Sequence, residues 1–304
     1  MASASRPYIA VIGGANVDIM ARHDGVVLND TDSNPGQMML SAGGVARNVA
    51  ENLARLGSDV QLITSLGDDD FATKIKASLD LPHLDFKASQ ITPNTASDSY
   101  LSLHDAEGEL LHAVHHTQLV SSLTPSYLGQ HGKLIAGASM LVADCNLPAE
   151  TLAWLATYTP RPALFIDGVS AHKITRLAPI LSQIDGLKCN QLEAATLLGL
   201  AQTTPPDQLA RRISDKGVRS VILSLGAKGV LLAHAGICTC YPQPTIPEKI
   251  LSVSGAGDAL LAAYIHAIHH KLPQDAAIKM GLKAAVKTLE APEAVHRDIA
   301  QIAE

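Results

Sequence analysis

Three small residues, Gly255, Ala256 and Gly257, stand directly before Asp258 and the apolar stretch Leu260–Ile268. The apolar stretch is typical of a helix, and small residues leave the backbone N–H groups at its start unobstructed. Together with the helix dipole, these N–H groups form a site for an anion. A carboxylate in the first helical turn is placed to accept a proton from a hydroxyl that attacks a phosphate. Asp258 is therefore a candidate general base, and capping of the helix is its alternative role.

A second candidate site lies in the segment KCNQLE, which contains Lys188, Asn190 and Glu193. The segment joins the end of a predicted strand to the start of a predicted helix, and open α/β sheets bind their ligands at such junctions. Asn190 and Glu193 share one helix face and are suited to hold a hydrated Mg²⁺ near phosphates. The alternative is a capping box, in which Asn190 caps the helix and Glu193 completes the box.

A third candidate site is the segment SLGAKG, which contains Ser224, Gly226 and Gly229. A predicted strand ends here in a tight turn, and its glycines would let the backbone approach a nucleotide closely. A plain hairpin turn explains the same residues equally well.

Two glycine-containing segments near the N-terminus, GGANVD and AGGVARN, supply a fourth candidate site. Asp18 and Asn48 stand at the ends of apolar segments, and a carboxylate with an amide can bracket the vicinal hydroxyls of a sugar. Gly43 and Gly44 would leave room for a ring nearby. This glycine pair lacks the GxGxxG spacing of a dinucleotide-binding fingerprint. Taken singly, all these residues are also turn and cap residues.

Strand and helix patterns alternate along the chain and would bring these segments together. Short apolar runs predict buried parallel strands at Tyr8–Gly13, Val60–Ser65, Met140–Asp144, Ala163–Asp167, Gly186–Cys189 and Ser220–Leu225. Apolar residues at helical spacing predict helices at Val45–Leu56, Asp70–Leu79, Ala149–Thr157, Leu192–Leu198 and Pro206–Lys216. The alternation predicts an α/β fold with right-handed crossovers. No linker or repeat divides the chain, so a single domain over residues 1–304 is expected.

Two segments interrupt the alternation, at about residues 16–40 and 92–117. In the second of them, Ser97–His115 alternates apolar and polar residues around a turn at Asp105–Gly108, which predicts a β-hairpin with one solvated face. The two segments together predict a small antiparallel sheet that projects from the domain. Such a sheet could close over a cleft as a lid or serve as a dimerising flap.

Bulk composition excludes several classes of function. The formal charge is −6 and no basic cluster occurs, which argues against a nucleic-acid polymer as partner. The four cysteines form no CxxC pair, so neither a zinc site nor a disulfide framework is expected. No apolar run reaches the roughly 18 residues of a membrane helix, and the N-terminal MASASRPYIAVIGG lacks a signal-peptide pattern. A soluble, cytoplasmic protein is expected, with no membrane partner.

The four segments and their order along the chain resemble the ribokinase-like (PfkB) family of carbohydrate and nucleoside kinases. The resemblance extends from Gly13 to about Glu290. The GAGD and NxxE elements carry most of the resemblance. It implies a three-layer α/β/α fold with a mainly parallel central sheet and a small β-sheet lid. It also implies ATP as phosphate donor and Mg²⁺ as cofactor.

The resemblance assigns site roles residue by residue. The base is Asp258, beside an anion hole formed by Gly255, Ala256 and Gly257. The positions assigned to the sugar or nucleoside are Asn16, Asp18, Asn34, Gly43, Gly44 and Asn48. The positions assigned to ATP are Lys188, Asn190, Ser224, Gly226, Gly229, Gly255 and Gly257. Mg²⁺ is assigned, through water, to Asn190 and Glu193.

The chain also departs from the family pattern at two places. Ser252-Val253 replaces the usual Asp-Thr before the GAGD element, which leaves a requirement for K⁺ open. The segment Lys287–Val295 lacks the glycine often found near the adenine pocket, so the resemblance assigns no adenine contacts.

Within the family, the N-terminal half is most similar to the pseudouridine kinases. The similar segments are GGANVDI, DSNPG, AGGVARNVAENLARLG, SYLSL and VADCNLP. DSNPG lies in the lid insertion, where substrate class is commonly set, and its Asn34, or Ser99 or Ser102 nearby, could read a nucleobase. The resemblance implies ATP-dependent phosphorylation of the 5′-hydroxyl of pseudouridine by a homodimer joined through the lid. The alternatives are a kinase for ribose or another nucleoside, and a non-catalytic sugar or nucleoside sensor.

Overall fold

Strands and helices alternate along most of the chain in the computed structural model, which describes residues 6–25 and 32–303. In chain order the strands are β1 (Ile9–Ile12), β2 (Asn16–His23), β3 (Gly36–Gly43), β4 (Val60–Ile63), β5 (Ser65–Leu66), β6 (Leu84–Asp85), β7 (Gln90–Ile91), β8 (Ser99–His104), β9 (Leu110–His116), β10 (Met140–Asp144), β11 (Ala163–Asp167), β12 (Gly186–Asn190), β13 (Ser220–Ser224), β14 (Val230–His234) and β15 (Ile237–Tyr241). In chain order the α-helices are α1 (Val45–Arg55), α2 (Asp70–Ser78), α3 (Pro125–Gln130), α4 (Gly132–Gly137), α5 (Ala149–Thr157), α6 (Ala171–Ile174), α7 (Gln191–Leu198), α8 (Pro206–Asp215), α9 (Ala256–His269) and α10 (Gln274–Thr288). Short 3₁₀ helices cover Leu119–Ser122, Thr175–Gln183, Gly226–Lys228 and Ile299–Ala303.

The central sheet, within the described residues, has nine strands in the order β15-β14-β13-β12-β11-β10-β1-β4-β6. The pairs from β6 to β13 are parallel, and β14 and β15 extend one edge as an antiparallel hairpin. In β1, Ile9 and Val11 belong to the core cluster that contains residues of α1, α9 and α10, whereas Ala10 and Ile12 belong to the cluster that contains residues of α5, α7 and α8. Helices therefore cover both faces of the sheet, which confirms the expected three-layer α/β/α fold.

Most of the predicted elements are confirmed to within about two residues. The structure has the predicted bounds at Met140–Asp144, Ala163–Asp167 and Ala149–Thr157. Helix α9 begins before the apolar stretch, at Ala256, because Gly255 adopts a left-handed conformation (φ 78°) that starts the helix there. The sequence pattern does not predict β14, β15 or α10. In β15 the apolar and polar residues do not alternate clearly, because most of this edge strand is exposed to solvent.

A second sheet, called the lid sheet below, has the strand order β3-β2-β8-β9. β8 and β9 form the predicted hairpin, and Gly108 N–H donates to Asp105 O at 3.1 Å in its turn. The prediction of an antiparallel sheet is wrong at its centre, because β2 and β8 pair in parallel. Both strands begin at the same point, where Val17 N–H donates to Asp98 O at 3.0 Å, and run outward together. Residues 26–31 of the predicted lid segment lie outside the described residues.

Three further expectations concern the chain as a whole. The single domain over residues 1–304 includes residues 1–5, 26–31 and 304, which lie outside the described part, so it stays a prediction. In the part of the chain that the structure describes, no helix is long and apolar enough to cross a membrane. All four cysteines lie in the described residues as free thiols.

Candidate active site

Asp144, at the carboxyl end of β10, organises the first two loops of the site. Its buried carboxylate accepts hydrogen bonds from the backbone N–H groups of Gly14 at 3.0 Å, Ala46 at 2.9 Å and Asn146 at 2.9 Å. Burial raises the pKa of Asp144, and these hydrogen bonds act in the opposite direction. A Cβ on Gly13 would lie 2.6 Å from this carboxylate. Asp144 therefore ties the loop after β1 to the start of α1, where sugar-binding positions are predicted.

The register of the lid sheet turns two rows of side chains toward a cavity of about 560 Å³, called the first cavity below. One row consists of Ser41, Asp18, Tyr100 and His115, and the next consists of Met39, Met20 and Ser102. Asn16, at the start of β2, also lines the cavity. Polar side chains from outside the lid sheet complete the lining, among them Asn48, Asn146, Lys173, Ser254 and Asp258. The volume is that of a small-molecule site.

Asp18 is held in the first cavity by Asn16, whose Nδ2 donates to Asp18 Oδ1 at 2.6 Å. Burial raises the pKa of Asp18, while the Asn16 hydrogen bond and the charge of Arg47 lower it. A Cβ on Gly43 would lie 2.1 Å from Asp18 Oδ2, and one on Gly44 would lie 2.6 Å from the backbone of the loop after β1. The two glycines thus make room for Asp18 and for this loop, rather than directly for a sugar ring.

Asp258 lies in the first turn of α9 and is only 8% exposed. Gly255 occupies the cap position, and no side chain caps this helix. Asp258 Oδ2 instead accepts a hydrogen bond from Asn48 Nδ2 at 2.7 Å. Burial and the nearby Asp167 carboxylate raise the pKa of Asp258 to about 7, while Lys188 and Asn48 act to lower it. A carboxyl group with a pKa near neutrality is well suited to proton transfer.

Lys188 places a positive charge beside the turn Gly255–Gly257, called the anion turn below. Its Nζ forms an ion pair with Asp167 Oδ2 at 2.9 Å. Burial alone would lower the pKa of Lys188, but the carboxylates of Asp167 and Asp258 raise it, so the side chain stays charged. A Cβ on Gly257 would lie 2.5 Å from Lys188 Nζ. Glycine at this position therefore lets the ammonium group approach the start of α9.

A second cavity, of about 320 Å³, lies on the other side of the start of α9. It is lined by four of the positions predicted to bind ATP: Ser224, Gly226, Gly229 and Gly257. Apolar side chains form much of the remaining lining, among them Ile246, Ile250, Val253, Ala285 and Leu289. Apolar walls of this kind suit the flat faces of a nucleobase. Gly229 has φ 98°, and a Cβ there would lie 2.1 Å from Tyr241 O, so the turn requires glycine.

The segment 252–258 forms the boundary between the two cavities. The first cavity is lined by Ser252, Ser254 and Asp258. The second is lined by Val253, Ala256 and Gly257. A group transferred from the second cavity to the first would cross the start of α9, where backbone N–H groups and the helix dipole favour negative charge.

Asn190 and Glu193 form the capping box that the sequence left as an alternative. Asn190 Oδ1 accepts from Glu193 N–H at 2.9 Å, and Glu193 Oε2 accepts from Asn190 N–H at 2.9 Å. Asn190 Nδ2 also donates to Glu193 Oε1 at 2.8 Å. Each Glu193 oxygen accepts one of these bonds and keeps a further acceptor site, so a water bound to Mg²⁺ can donate to it while the capping box stays intact. This oxygen donor set therefore fits the ion held through water. The described residues contain no cluster of three or more His, Cys, Asp or Glu side chains that could hold a metal ion.

Several predicted positions do not line either cavity. Asn34 Nδ2 donates to Asp32 O at 3.2 Å on the lid segment, away from the first cavity. The other predicted positions outside both linings are Gly43, Lys188, Asn190, Glu193 and Gly255. Gly43 makes room for Asp18, Lys188 approaches the anion turn, and Asn190 with Glu193 caps α7.

Four residues that line the first cavity are not among the predicted site residues: Lys173, Asn146, Tyr100 and His115. Lys173 Nζ donates to Asn146 Oδ1 at 2.6 Å. Burial lowers the pKa of Lys173, while the nearby Asp144 carboxylate raises it. Both Lys173 and Asn146 follow the carboxyl ends of parallel strands, where α/β sheets bind their ligands, so their position in the sequence could have identified them as site residues. The two lid residues depend on the register between strands, which the sequence alone does not define.

Known proteins resemble this chain in sequence and in fold. The family model described as pfkB family carbohydrate kinase matches residues 6–299. The pseudouridine kinase of Escherichia coli (strain K12) is 36% identical over 259 residues, which cover 84% of this chain and 82% of that protein. The guanosine-inosine kinase of Exiguobacterium acetylicum is 25% identical over 289 residues, which cover 94% of this chain and 95% of that protein. The structure of Arabidopsis thaliana ribokinase complexed with ribose and ATP matches with a TM-score of 0.86 and 18% identity, over 97% of this chain and 98% of that one.

Fold and comparisons together place the protein among the small-molecule kinases. The chain belongs to the pfkB family of carbohydrate kinases. It is therefore a sugar or nucleoside kinase, a phosphotransferase with an alcohol group as acceptor.

Proposed function

We propose that this kinase transfers the γ-phosphate of ATP to the 5′-hydroxyl of pseudouridine. The observation that carries the proposal is the pair of cavities that meet at the anion turn and Asp258. With the acceptor in the first cavity and ATP in the second, the transferred phosphoryl group lies at the start of α9. Phosphoryl transfer depends mainly on such positioning and on electrostatic stabilisation.

Asp258 takes the proton of the attacking 5′-hydroxyl. The hydroxyl oxygen bonds to the γ-phosphorus as the bond from that phosphorus to the bridging oxygen of ADP breaks. The backbone N–H groups of the anion turn and the dipole of α9 stabilise the charge on the transferred group. Asp18 and Asn16 bind the ribose hydroxyls, which sets the distance between the 5′-hydroxyl and Asp258.

Lys188 and the capping box of α7 act on the polyphosphate side. Asp167 holds the ammonium group of Lys188 beside Gly257, where it attracts the phosphates. Mg²⁺, when bound, supplies further neutralisation of the polyphosphate charge. Asn190 and Glu193 would hold the ion through water while their mutual hydrogen bonds remain intact.

The choice of pseudouridine is supported by the segment DSNPG and by the similarity to the pseudouridine kinase of Escherichia coli. Pseudouridine differs from uridine by its C–C glycosidic bond and one additional ring N–H. Ser102 lines the first cavity, and its Oγ lies 3.0 Å from His104 Nε2. A hydroxyl oxygen has two acceptor sites, so Ser102 can pair with His104 and still accept from this ring N–H. Uridine would leave that buried acceptor site empty, which penalises it relative to pseudouridine. Ser102 therefore takes the base-reading role that the sequence offered to Asn34, Ser99 or Ser102.

The test is a comparison of kcat/KM for pseudouridine, uridine, guanosine, inosine and ribose with ATP as donor. We expect kcat/KM for pseudouridine to exceed kcat/KM for uridine by at least about tenfold, which corresponds to one buried hydrogen bond. We expect Ser102→Ala to reduce this preference, with a smaller effect on kcat for uridine. Equal or faster turnover of ribose, guanosine or inosine would overturn the pseudouridine assignment. Absence of ATP consumption with every acceptor would instead favour the sensor alternative.

The outer face of the lid sheet supports the further proposal of a homodimer. Leu40, Ile19, Leu101 and Val114 form one apolar row across all four strands, on the face opposite to the first cavity. Three of the four are exposed in the single chain: Leu40, Leu101 and Val114. β9 is also an edge strand in which every residue is exposed. A second copy of the chain would cover both the row and the edge.

A further inference from the structure

Arg47, in α1, is a buried charge directly behind the first cavity, and it is only 2% exposed. Its Nη1 donates to the Glu51 carboxylate and to Ser78 Oγ at 3.2 Å. Its Nη2 donates to Ala42 O at 2.8 Å and to Asn48 Oδ1. Its Nε is buried and has no hydrogen-bond partner among the described residues.

Stability alone does not account for an arginine at this position. Burial of an ion pair loses hydration, and an apolar side chain of similar volume often gives an equally stable protein. The unpaired Nε adds the cost of a buried donor without an acceptor. The contact between Arg47 and Asn48 indicates a role for Arg47 other than stabilisation of the fold.

The guanidinium of Arg47 fixes the orientation of the Asn48 amide. An amide has an acceptor end and a donor end, whereas a guanidinium has donors only, so Arg47 can pair only with Oδ1. The other end of the amide, Nδ2, is then turned to Asp258 Oδ2 at 2.7 Å. Rotation of the amide by half a turn would bring Oδ1 against the Asp258 carboxylate, and two acceptors would face each other.

We propose that Arg47 is a positioning residue for the catalytic base: by holding Asn48 Oδ1, it makes the amide donate to Asp258 and favours the ionised carboxylate. The inference rests on the proposed role of Asp258 as base, and it holds for any acceptor of the kinase. It assigns a function to a residue that touches neither the acceptor nor ATP directly.

The charged groups that face Asp258 come from four elements. Asp167 and Asp144 stand at the ends of β11 and β10, Lys188 lies on β12, and Arg47 lies on α1. Burial and the two carboxylates raise the pKa of Asp258, while Lys188 and the Asn48 hydrogen bond lower it. Loss of Arg47 removes a positive charge and frees the amide, and both changes raise this pKa further. Because the base must be ionised, the acid limb of the kcat/KM profile then moves to higher pH.

The first experiment compares pH profiles of kcat/KM for Arg47→Met and for a matched control, Arg55→Met. Arg55 lies on the same helix and pairs with the same Glu51, at 2.8 Å, but does not touch Asn48. Loss of a hydrogen bond to a charged group changes its acid dissociation constant by about 10- to 100-fold. We therefore expect the acid limb of Arg47→Met to move to higher pH by about one to two units. The Arg47→Met and wild-type profiles should converge at alkaline pH, and Arg55→Met should keep the wild-type limb. An unshifted limb, or an equal loss at every pH, would overturn the proposal.

A second pair of variants covers the case in which Arg47→Met does not fold. Arg47→Gln is polar and neutral, and its amide can present either a donor or an acceptor to Asn48, so its acid limb should also rise. Arg47→Lys offers donors only and should restore a limb close to that of the wild type. Circular dichroism verifies the fold of each variant. A wild-type limb in Arg47→Gln would overturn the proposal, as would an equal shift in both variants.

Asp258→Asn, measured in the same assay, separates this inference from the proposed function. If Asp258→Asn retained activity, Asp258 would not be the base, and the Arg47 proposal would be wrong as well. An inactive Asp258→Asn together with an unshifted Arg47→Met would overturn the Arg47 proposal alone. ATP consumption with the acceptor that is turned over fastest makes the result independent of acceptor identity.

Discussion

At the scale of single residues, Asp258 is a position where charge can be removed with little change of shape. An asparagine has nearly the same volume, and its Oδ1 can still accept from Asn48 Nδ2. Lys188 would keep its ion pair with Asp167. We therefore expect Asp258→Asn to fold and to bind ATP normally while kcat falls by about 10² to 10⁴-fold. Steady-state kinetics and a nucleotide titration measure the two effects, and a near-normal kcat would show that Asp258 is not the base.

The same variant should change the pH dependence of stability. Burial raises the pKa of Asp258 to about 7 in the folded protein. The stability linked to this raised pKa is fully present below the ordinary aspartate value of about 4 and is lost as the pH rises through about 7. Asparagine cannot ionise, so the Tm of the variant relative to the wild type should increase from pH 5 to pH 8. Calorimetry at both pH values measures the difference in Tm between the variant and the wild type. A difference that decreased from pH 5 to pH 8 would contradict the prediction.

At the scale of the elements, the junction of β3 and α1 depends on the absence of a side chain at Gly43. A Cβ there would lie 2.1 Å from Asp18 Oδ2, and the backbone at this position is otherwise open to any residue. Gly43→Ala should therefore displace Asp18 and leave the nucleotide side unchanged. A misplacement of about 1 Å can cost about 10²-fold in rate. We expect a loss of this order in kcat/KM for the acceptor, with an unchanged Kd for ATP.

Gly129→Ala, in α3, is the matched control for this substitution. A Cβ on Gly129 would meet no atom within 4 Å, and the position lies on a helix far from Asp18 in sequence. Its acceptor kinetics should equal those of the wild type. If Gly43→Ala behaved like this control, Asp18 would not depend on the space that glycine leaves.

The elements themselves were predictable where the pattern of a single segment decides the structure. β10 and β11 are short apolar runs that each end in an aspartate, and α5 follows a proline, so their bounds match the prediction. The parallel pairing of β2 with β8 is different, because it joins segments about 80 residues apart. Periodicity within each strand says nothing about which strand lies beside it or in which direction. The lid was therefore predictable as two strand-forming segments, but not as a mixed sheet.

At the scale of the whole molecule, the candidate site combines local motifs with contacts across the chain. The GAGD and NxxE segments are local, because the residues that form each turn or cap are neighbours in sequence. The contact between Asn48 and Asp258 spans 210 positions, and no local pattern indicates it. The same holds for Arg47, whose spacing in α1 is that of an ordinary surface arginine. Packing of α1 against α9 brings these residues together, so their roles follow only from the folded chain.

The assembly proposed for the lid sheet is also a property of the whole molecule. Val114 lies in the apolar row on the outer face of the lid sheet and is 68% exposed. Ile237, on the edge strand β15 of the central sheet, is also 68% exposed, but it lies outside the lid sheet. A charge buried at an interface costs far more than a charge in water. Val114→Glu should therefore give a monomer, and Ile237→Glu should leave the homodimer intact.

Light scattering coupled to size exclusion, over a range of protein concentrations, measures the mass of each variant. The row Leu40, Ile19, Leu101 and Val114 belongs to the same strands that carry Asp18 and Ser102 on the opposite face. Loss of the partner should therefore loosen the lid and raise KM for the acceptor more than KM for ATP. A monomeric wild type would remove the proposed interface altogether. A dimer that survives Val114→Glu but not Ile237→Glu would place the interface on the central sheet, with the acceptor site independent of it.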